Sequence, residues 1–229
     1  MLPLTLFPSI LVKDTVSFNE KLRIAELYQN QAHVDIMDGE FVPNQTIDPE
    51  AFDDVRTKLT VEFHLMVKNI PQYIDRFLSM NKKPEILLLH RECCKSEVEL
   101  AYFIHHLRKQ GIRAGIVLDL ETPVTSIANV GKIADKILLM SVHPGWSGQD
   151  FIASVLPKIK QARRLFPEKN IQLDGGMNQD TIKLAARAGA NMFVVGKAFY
   201  DAADIGLACE RITASAQQGQ REWNERKIV

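Results

Sequence analysis

The sequence predicts a single closed (β/α)8 barrel of the TIM type, and three observations carry that expectation. Short runs rich in β-forming residues alternate with longer amphipathic stretches from one end of the chain to the other. Most of the short runs are apolar without alternation, as in strands covered by helices on one face and by a packed interior on the other. The chain has 229 residues, and eight βα units would average about 29 residues each, close to the size of one such unit. No Ser/Gly-rich linker, low-complexity tract or charge block marks a boundary, so residues 1–229 are read as one domain. A doubly wound open sheet uses the same alternation and is the structural alternative.

The candidate strands are Leu4–Ile10, Ala32–Ile36, Val61–Met66, Ile86–His90, Ala114–Leu118, Lys136–Ser141, Ile171–Asp174 and Met192–Val195. Between them, Leu100, Ile104 and Leu107 follow helical spacing and stop before Gly111. Val155, Leu156, Ile159, Ala162 and Phe166 form another apolar stripe, with Pro157 tolerable because it lies in the first turn. Asn178 to Thr181 supply capping residues for a helix carrying Ile182, Ala185, Ala186 and Gly189.

Composition excludes several kinds of function. Lys plus Arg equals Asp plus Glu at 28 each, which leaves no electrostatic footprint for nucleic acid or an anionic membrane. No apolar run approaches the roughly 20 residues that span a bilayer. The N-terminal residues lack a basic region and a small-residue cleavage site, so no signal peptide is expected. Three cysteines, two of them adjacent at Cys93-Cys94, form neither a disulfide framework nor a spaced metal site. Free thiols in a reducing cytoplasm are the expectation.

Function is signalled where polar groups interrupt apolar strands. The second strand reads Ala32-His33-Val34-Asp35-Ile36-Met37-Asp38-Gly39, and the two-residue spacing puts His33 and Asp35 on one face. His64 lies near the end of the third strand, and Asp174 ends the seventh. In a parallel barrel these ends share one rim, where active sites are assembled. Singly, a buried His is more often a hydrogen-bonded core residue, and a strand-end Asp is more often a turn or cap. Together they are costly unless paired or coordinated, and their recurrence at one rim predicts a divalent metal site. A mixed nitrogen and carboxylate set suits zinc, iron(II), manganese or cobalt.

A second constellation is glycine. Val142-His143-Pro144-Gly145-Trp146-Ser147-Gly148-Gln149 follows the sixth strand, Gly175-Gly176 the seventh and Gly196-Lys197 the eighth. Ordinary turns explain any one of them, but three consecutive glycine-bearing loops at the last strands predict a phosphate cradle. The pattern is neither a dinucleotide fingerprint nor a Walker loop. His105-His106 fall within a helix and are expected to be solvated. His90 and Glu92 could support the site or belong to a polar loop. Met37, Met66 and Met140 end strands and could wall the reaction centre. No G-x-S-x-G elbow is present, and Cys93-Cys94 have no evident activating partner.

Six motifs in order resemble the ribulose-phosphate 3-epimerase family: Phe7-Pro8-Ser9-Ile10-Leu11, His33 to Gly39, Phe41-Val42-Pro43-Asn44, His64-Leu65-Met66-Val67, Pro144 to Gln149 and Asp174-Gly175-Gly176. The resemblance implies a metal held by His33, Asp35, His64 and Asp174, with Asp35 and Asp174 as acid and base. It implies a small sugar phosphate touched by Ser9, His64, Met37, Met66 and Met140. The phosphate would lie against Gly145, Trp146, Ser147, Gly148, Gly175, Gly176, Gly196 and Lys197. A homo-oligomer is expected by the same analogy. The default reaction is D-ribulose 5-phosphate to D-xylulose 5-phosphate.

The sequence also departs from the family pattern at Glu40, Thr46-Ile47-Asp48, Asp119-Leu120, His143, Ser147 and Lys197. Thr46-Ile47-Asp48-Pro49 and Ser147 resemble the allulose-6-phosphate branch. Lys197 stands where relatives carry a small Ser; its ammonium could meet the phosphate, or its stem could lie across the rim with the charge in water. Two other classes are weighed. Related barrel decarboxylases carry a D-x-K-x-x-D signature, which is absent here. A catalytically silent sugar-phosphate-binding barrel would not be expected to keep four costly polar groups.

Overall fold

Eight parallel strands close on themselves in chain order in the computed structural model, which describes residues 2–225. They are β1 (Thr5–Ile10), β2 (Gln31–Met37), β3 (Thr60–Met66), β4 (Ile86–His90), β5 (Arg113–Leu118), β6 (Lys136–Met140), β7 (Asn170–Asp174) and β8 (Met192–Val195). β8 pairs with β1, which completes the ring and excludes the open-sheet alternative. Each strand lies within one residue of its expected bounds.

Alternation along each strand sorts side chains between two cores. Leu138 and Met140 of β6 face inward with Ile86, Leu88 and Val117. Ile137 and Leu139 face outward into the larger layer between sheet and helices. That outer layer is covered by α1 (Thr15–Tyr28), α2 (Ile70–Ser79), α3 (Glu97–Lys109), α4 (Val155–Leu165), α5 (Gln179–Ala188), the single turn α6 (Lys197–Tyr200) and α7 (Ile205–Glu225). Their starts follow capping chemistry: Asp14 accepts from the Ser17 amide and Ser96 from the Glu99 amide. Asn178 and Thr181 complete a reciprocal capping box on α5, as the sequence predicts.

The structure departs from eight uniform βα units at two crossovers. The β2–β3 connection carries only a 3-10 turn at Pro49–Phe52, and β5–β6 only two, at Val124–Ile127 and Val130–Lys132. Pro43 and Pro49 interrupt the first connection, and its buried apolar residues Val42, Ile47, Phe52, Val55 and Leu59 lack helical spacing. Ile47, Phe52, Val55 and Leu59 plug the outer layer as an irregular segment instead, while Val42 packs with Met37 and Met66. None of the described helices is long and apolar enough to cross a membrane.

Candidate metal centre and active site

Parallel register stacks the polar residues in tiers. His33 lies opposite Glu62, Asp35 opposite His64 and Met37 opposite Met66 on β2 and β3, while Asp174 of β7 lies opposite Met140. All face inward, so closure of the ring delivers them to one end of the barrel. Along β2 and β3 the methionines lie nearest the rim, Asp35 and His64 one tier in, and His33 and Glu62 one tier deeper.

His33, Asp35, His64 and Asp174 each turn one donor atom to a common point, with all four atoms within 4.8 Å of one another. His33 Nε2 lies 3.3 Å from His64 Nδ1. It lies 3.3 Å from Asp35 Oδ1 and 3.6 Å from Asp174 Oδ2. His64 Nδ1 is 3.1 Å from Asp35 and 3.4 Å from Asp174. Metal bonds of about 2.0–2.2 Å in a tetrahedron require donors about 3.3–3.6 Å apart, so the set has the spacing of such a site.

Each imidazole is backed on its other nitrogen. His33 Nδ1 lies 2.6 Å from Glu62 Oε1. His64 Nε2 meets His90 Nε2 at 2.8 Å, and His90 Nδ1 meets Glu92 Oε2 at 3.0 Å. Burial opposes a charge on His33 and His64, but hydrogen bonds to Asp174 and Asp35 outweigh it and raise both pKa values. The same negative field favours a cation at this point. Burial would raise the Asp35 and Asp174 carboxyls, yet the two histidines hold both below the usual range. Burial pushes His90 down, consistent with a neutral ring relaying His64 to Glu92.

Above the donors opens a cavity of about 350 Å³. Asp35 and Asp174 reach it through a floor of Met37, Met66 and Met140, with Ser9 at one side. Ser9 Oγ donates to Asp35 Oδ2 at 3.1 Å. Gly145, Trp146, Ser147, Gly148, Gly175, Gly176, Gly196 and Lys197 line the same cavity, so the glycine loops converge as expected. Gly175 and Gly176 have φ of 111° and 64°, and a Cβ on Gly176 would fall on the Phe151 backbone. His64 was expected against the substrate as well; it is fully buried and does not line the cavity. Its Nε2 meets His90, the two rings lying nearly in one plane at 14° with centroids 5.0 Å apart.

The sequence profile of the Ribulose-phosphate 3 epimerase family matches residues 5–200. The ribulose-phosphate 3-epimerase of Bacillus subtilis strain 168 is 40% identical over 216 residues, covering 91% of this chain and 97% of the relative. The chain belongs to the ribulose-phosphate 3-epimerase family. It is an isomerase, of the epimerase class. The chloroplastic ribulose-5-phosphate-3-epimerase of Arabidopsis thaliana is 36% identical over 215 residues, covering 91% of this chain and 75% of that one. Among solved structures, 3-keto-L-gulonate-6-phosphate decarboxylase from Vibrio cholerae superposes with a TM-score of 0.69 at 9% identity, covering 95% of this chain and 99% of that one. At that identity the likeness is one of fold.

Within this epimerase-family chain the F-V-P-N segment acquires a structural reason. Asn44 Nδ2 donates to the Gly145 carbonyl at 2.8 Å, tying the β2 loop to the first glycine loop. Thr46 Oγ1 donates to the Asp35 carbonyl and accepts from the Met37 amide, bracing the strand end that carries the carboxylate. Of the departures from the family pattern, Asp48 pairs with Arg76 at 2.7 Å on the outer surface and does not line the cavity. His143, Ser147 and Lys197 do line it. The sequence reading missed Glu62, Lys136 and Gln172, buried below the centre. Their signal was available: Glu62 and Gln172 stand two residues before His64 and Asp174, on the same inward face.

Proposed function

We propose that this epimerase-family chain is a metal-dependent ketose-phosphate 3-epimerase that interconverts D-ribulose 5-phosphate and D-xylulose 5-phosphate. The observation that carries the reading is the convergence of two imidazole nitrogens and two carboxylates beneath a cavity walled by glycine loops. His33, Asp35, His64 and Asp174 would hold the ion; their spacing and chemistry suit zinc, iron(II), manganese or cobalt. A divalent cation there supplies Lewis acidity that favours negative charge beside the ketone, a contribution of several kcal/mol.

The chain's own groups perform the proton transfer. Inversion at C3 requires a proton to leave one face and return to the other, which two carboxylates on different strands can do. Ser9 donates to Asp35 and favours its ionised form, so Asp35 acts as base when Asp174 starts protonated. The reverse reaction exchanges those roles. Met37, Met66 and Met140 keep water from the enediolate, and the glycine amides with Lys197 receive the phosphate. The three free thiols suit a reducing cytoplasm.

A second reading, D-allulose 6-phosphate as substrate, is favoured by Ser147, which lines the cavity, together with the Thr46-Ile47-Asp48-Pro49 segment. The two are separated by measuring kcat/KM for both sugars. The proposal expects the pentulose phosphate to be preferred by at least about tenfold, a difference of about 1.4 kcal/mol in transition-state binding. Preference for the hexulose phosphate would replace the substrate and keep the chemistry.

A further inference from the structure

Below the four metal-facing groups lies a polar cluster that the proton transfers do not use. Glu62 of β3, Lys136 of β6 and Gln172 of β7 are 1%, 5% and 0% exposed. They satisfy one another: Lys136 Nζ pairs with Glu62 Oε2 and donates to Gln172 Oε1 at 3.1 Å, while Gln172 Nε2 donates to Glu62 Oε1 at 2.6 Å. The ammonium also sits 4.3 Å over the Phe7 ring. An ion pair this deep pays a desolvation penalty that apolar residues of similar volume would avoid, so stability alone is a weak reason for it.

The trio opens upward toward one ring. Glu62 Oε1 lies 2.6 Å from His33 Nδ1, on the side of the imidazole away from the donor cluster. We infer that Glu62, held by Lys136 and Gln172, is a positioning residue of the metal centre: it keeps the proton on His33 Nδ1 and leaves Nε2 bare and aimed at the ion. The inference rests on the metal-site reading above. A carboxylate on the second nitrogen of a ligating histidine fixes tautomer and ring orientation and raises the basicity of the nitrogen that binds. Lys136 and Gln172 make that support rigid. With Oε2 held by the ammonium and Oε1 shared between Gln172 and His33, the carboxylate has no oxygen free to bind the ion itself.

Zinc is the probe. Wild type, Glu62→Gln and the triple variant Glu62→Met/Lys136→Met/Gln172→Met are titrated with zinc against a chelator of known affinity. The triple variant exchanges the whole trio for apolar side chains of similar volume, an exchange that proteins often tolerate, and thermal unfolding of each metal-free protein reports folding. Zinc affinity should fall about 10–100-fold in the triple variant, the usual effect of losing such a support, and by less in Glu62→Gln, which keeps an acceptor. In zinc-loaded wild type, the His33 Nδ1–H should give a protected, downfield proton resonance, and the triple variant should lose it. A folded triple variant that binds zinc as wild type does would overturn the inference and reduce the trio to internal charge balance. Wild type that takes up no zinc would remove the metal centre itself, and this inference with it; equal binding by all three proteins removes the inference alone.

Discussion

Asp35 and Asp174 meet at one point although they sit on β2 and β7, three steps apart around the ring. In the proposed mechanism this placement, rather than either carboxylate alone, serves inversion, because the two groups come from different strands. Asp35→Asn and Asp174→Asn should each lower turnover by about 10²-fold or more, the usual span for a lost general acid or base. Far-UV circular dichroism should be unchanged, since the amide preserves size; substantial turnover by either purified variant would contradict the two-base assignment. The buried carboxylates also set an acid limit. Burial raises Glu62 and Glu92, but Lys136 and His33 around the first and His90 beside the second hold both down to about 2. A depressed folded-state pKa stabilises above the unfolded value and is lost as pH falls toward the folded one. Metal-free protein should therefore keep its urea midpoint down to about pH 4.5 and lose it progressively toward pH 2. A flat midpoint across that window would show that these groups are not paired as described.

At the scale of elements, the strands were legible because each is a short apolar run bounded by helical stretches, and the polar residues at their ends marked the active rim. The β2–β3 and β5–β6 crossovers were not, because burial without a repeat resembles a poor helix in the sequence. Glu62, Lys136 and Gln172 escaped for a different reason: the inward face they share with His64, Met140 and Asp174 is visible in the sequence, but their partners come from other strands once the ring closes. His90 is marked with Glu92 in the sequence as a possible support of the site, and its contact with His64 forms once the strands lie side by side. The β7–α5 loop carries a test at this scale. Gly176 holds a left-handed conformation against the Phe151 backbone, and a side chain there costs on the order of 1 kcal/mol in strain before any clash. Gly176→Ala should raise KM for the sugar phosphate about tenfold or more and leave the zinc affinity near wild type. A loss confined to zinc affinity, with KM unchanged, would place this loop at the metal and not at the phosphate.

Across the whole molecule, closure of the barrel joins two sites that the sequence shows only as separate motifs. The early strands β2 and β3 bring His33, Asp35 and His64; the late strands bring Asp174 and the three glycine loops. β1 and β8 pair between these groups, placing Ser9 and Gly196 where the two halves of the cavity meet. Asp35, Asp174 and the glycine loops thereby line one cavity. The central claim, proton exchange at one carbon of a ketose phosphate, is tested most directly by incubating metal-loaded protein with D-ribulose 5-phosphate in D2O. Deuterium should accumulate at C3 in both the remaining substrate and the D-xylulose 5-phosphate formed, and at no other carbon. Complete absence of deuterium at C3, with this sugar and with D-allulose 6-phosphate, would contradict the account.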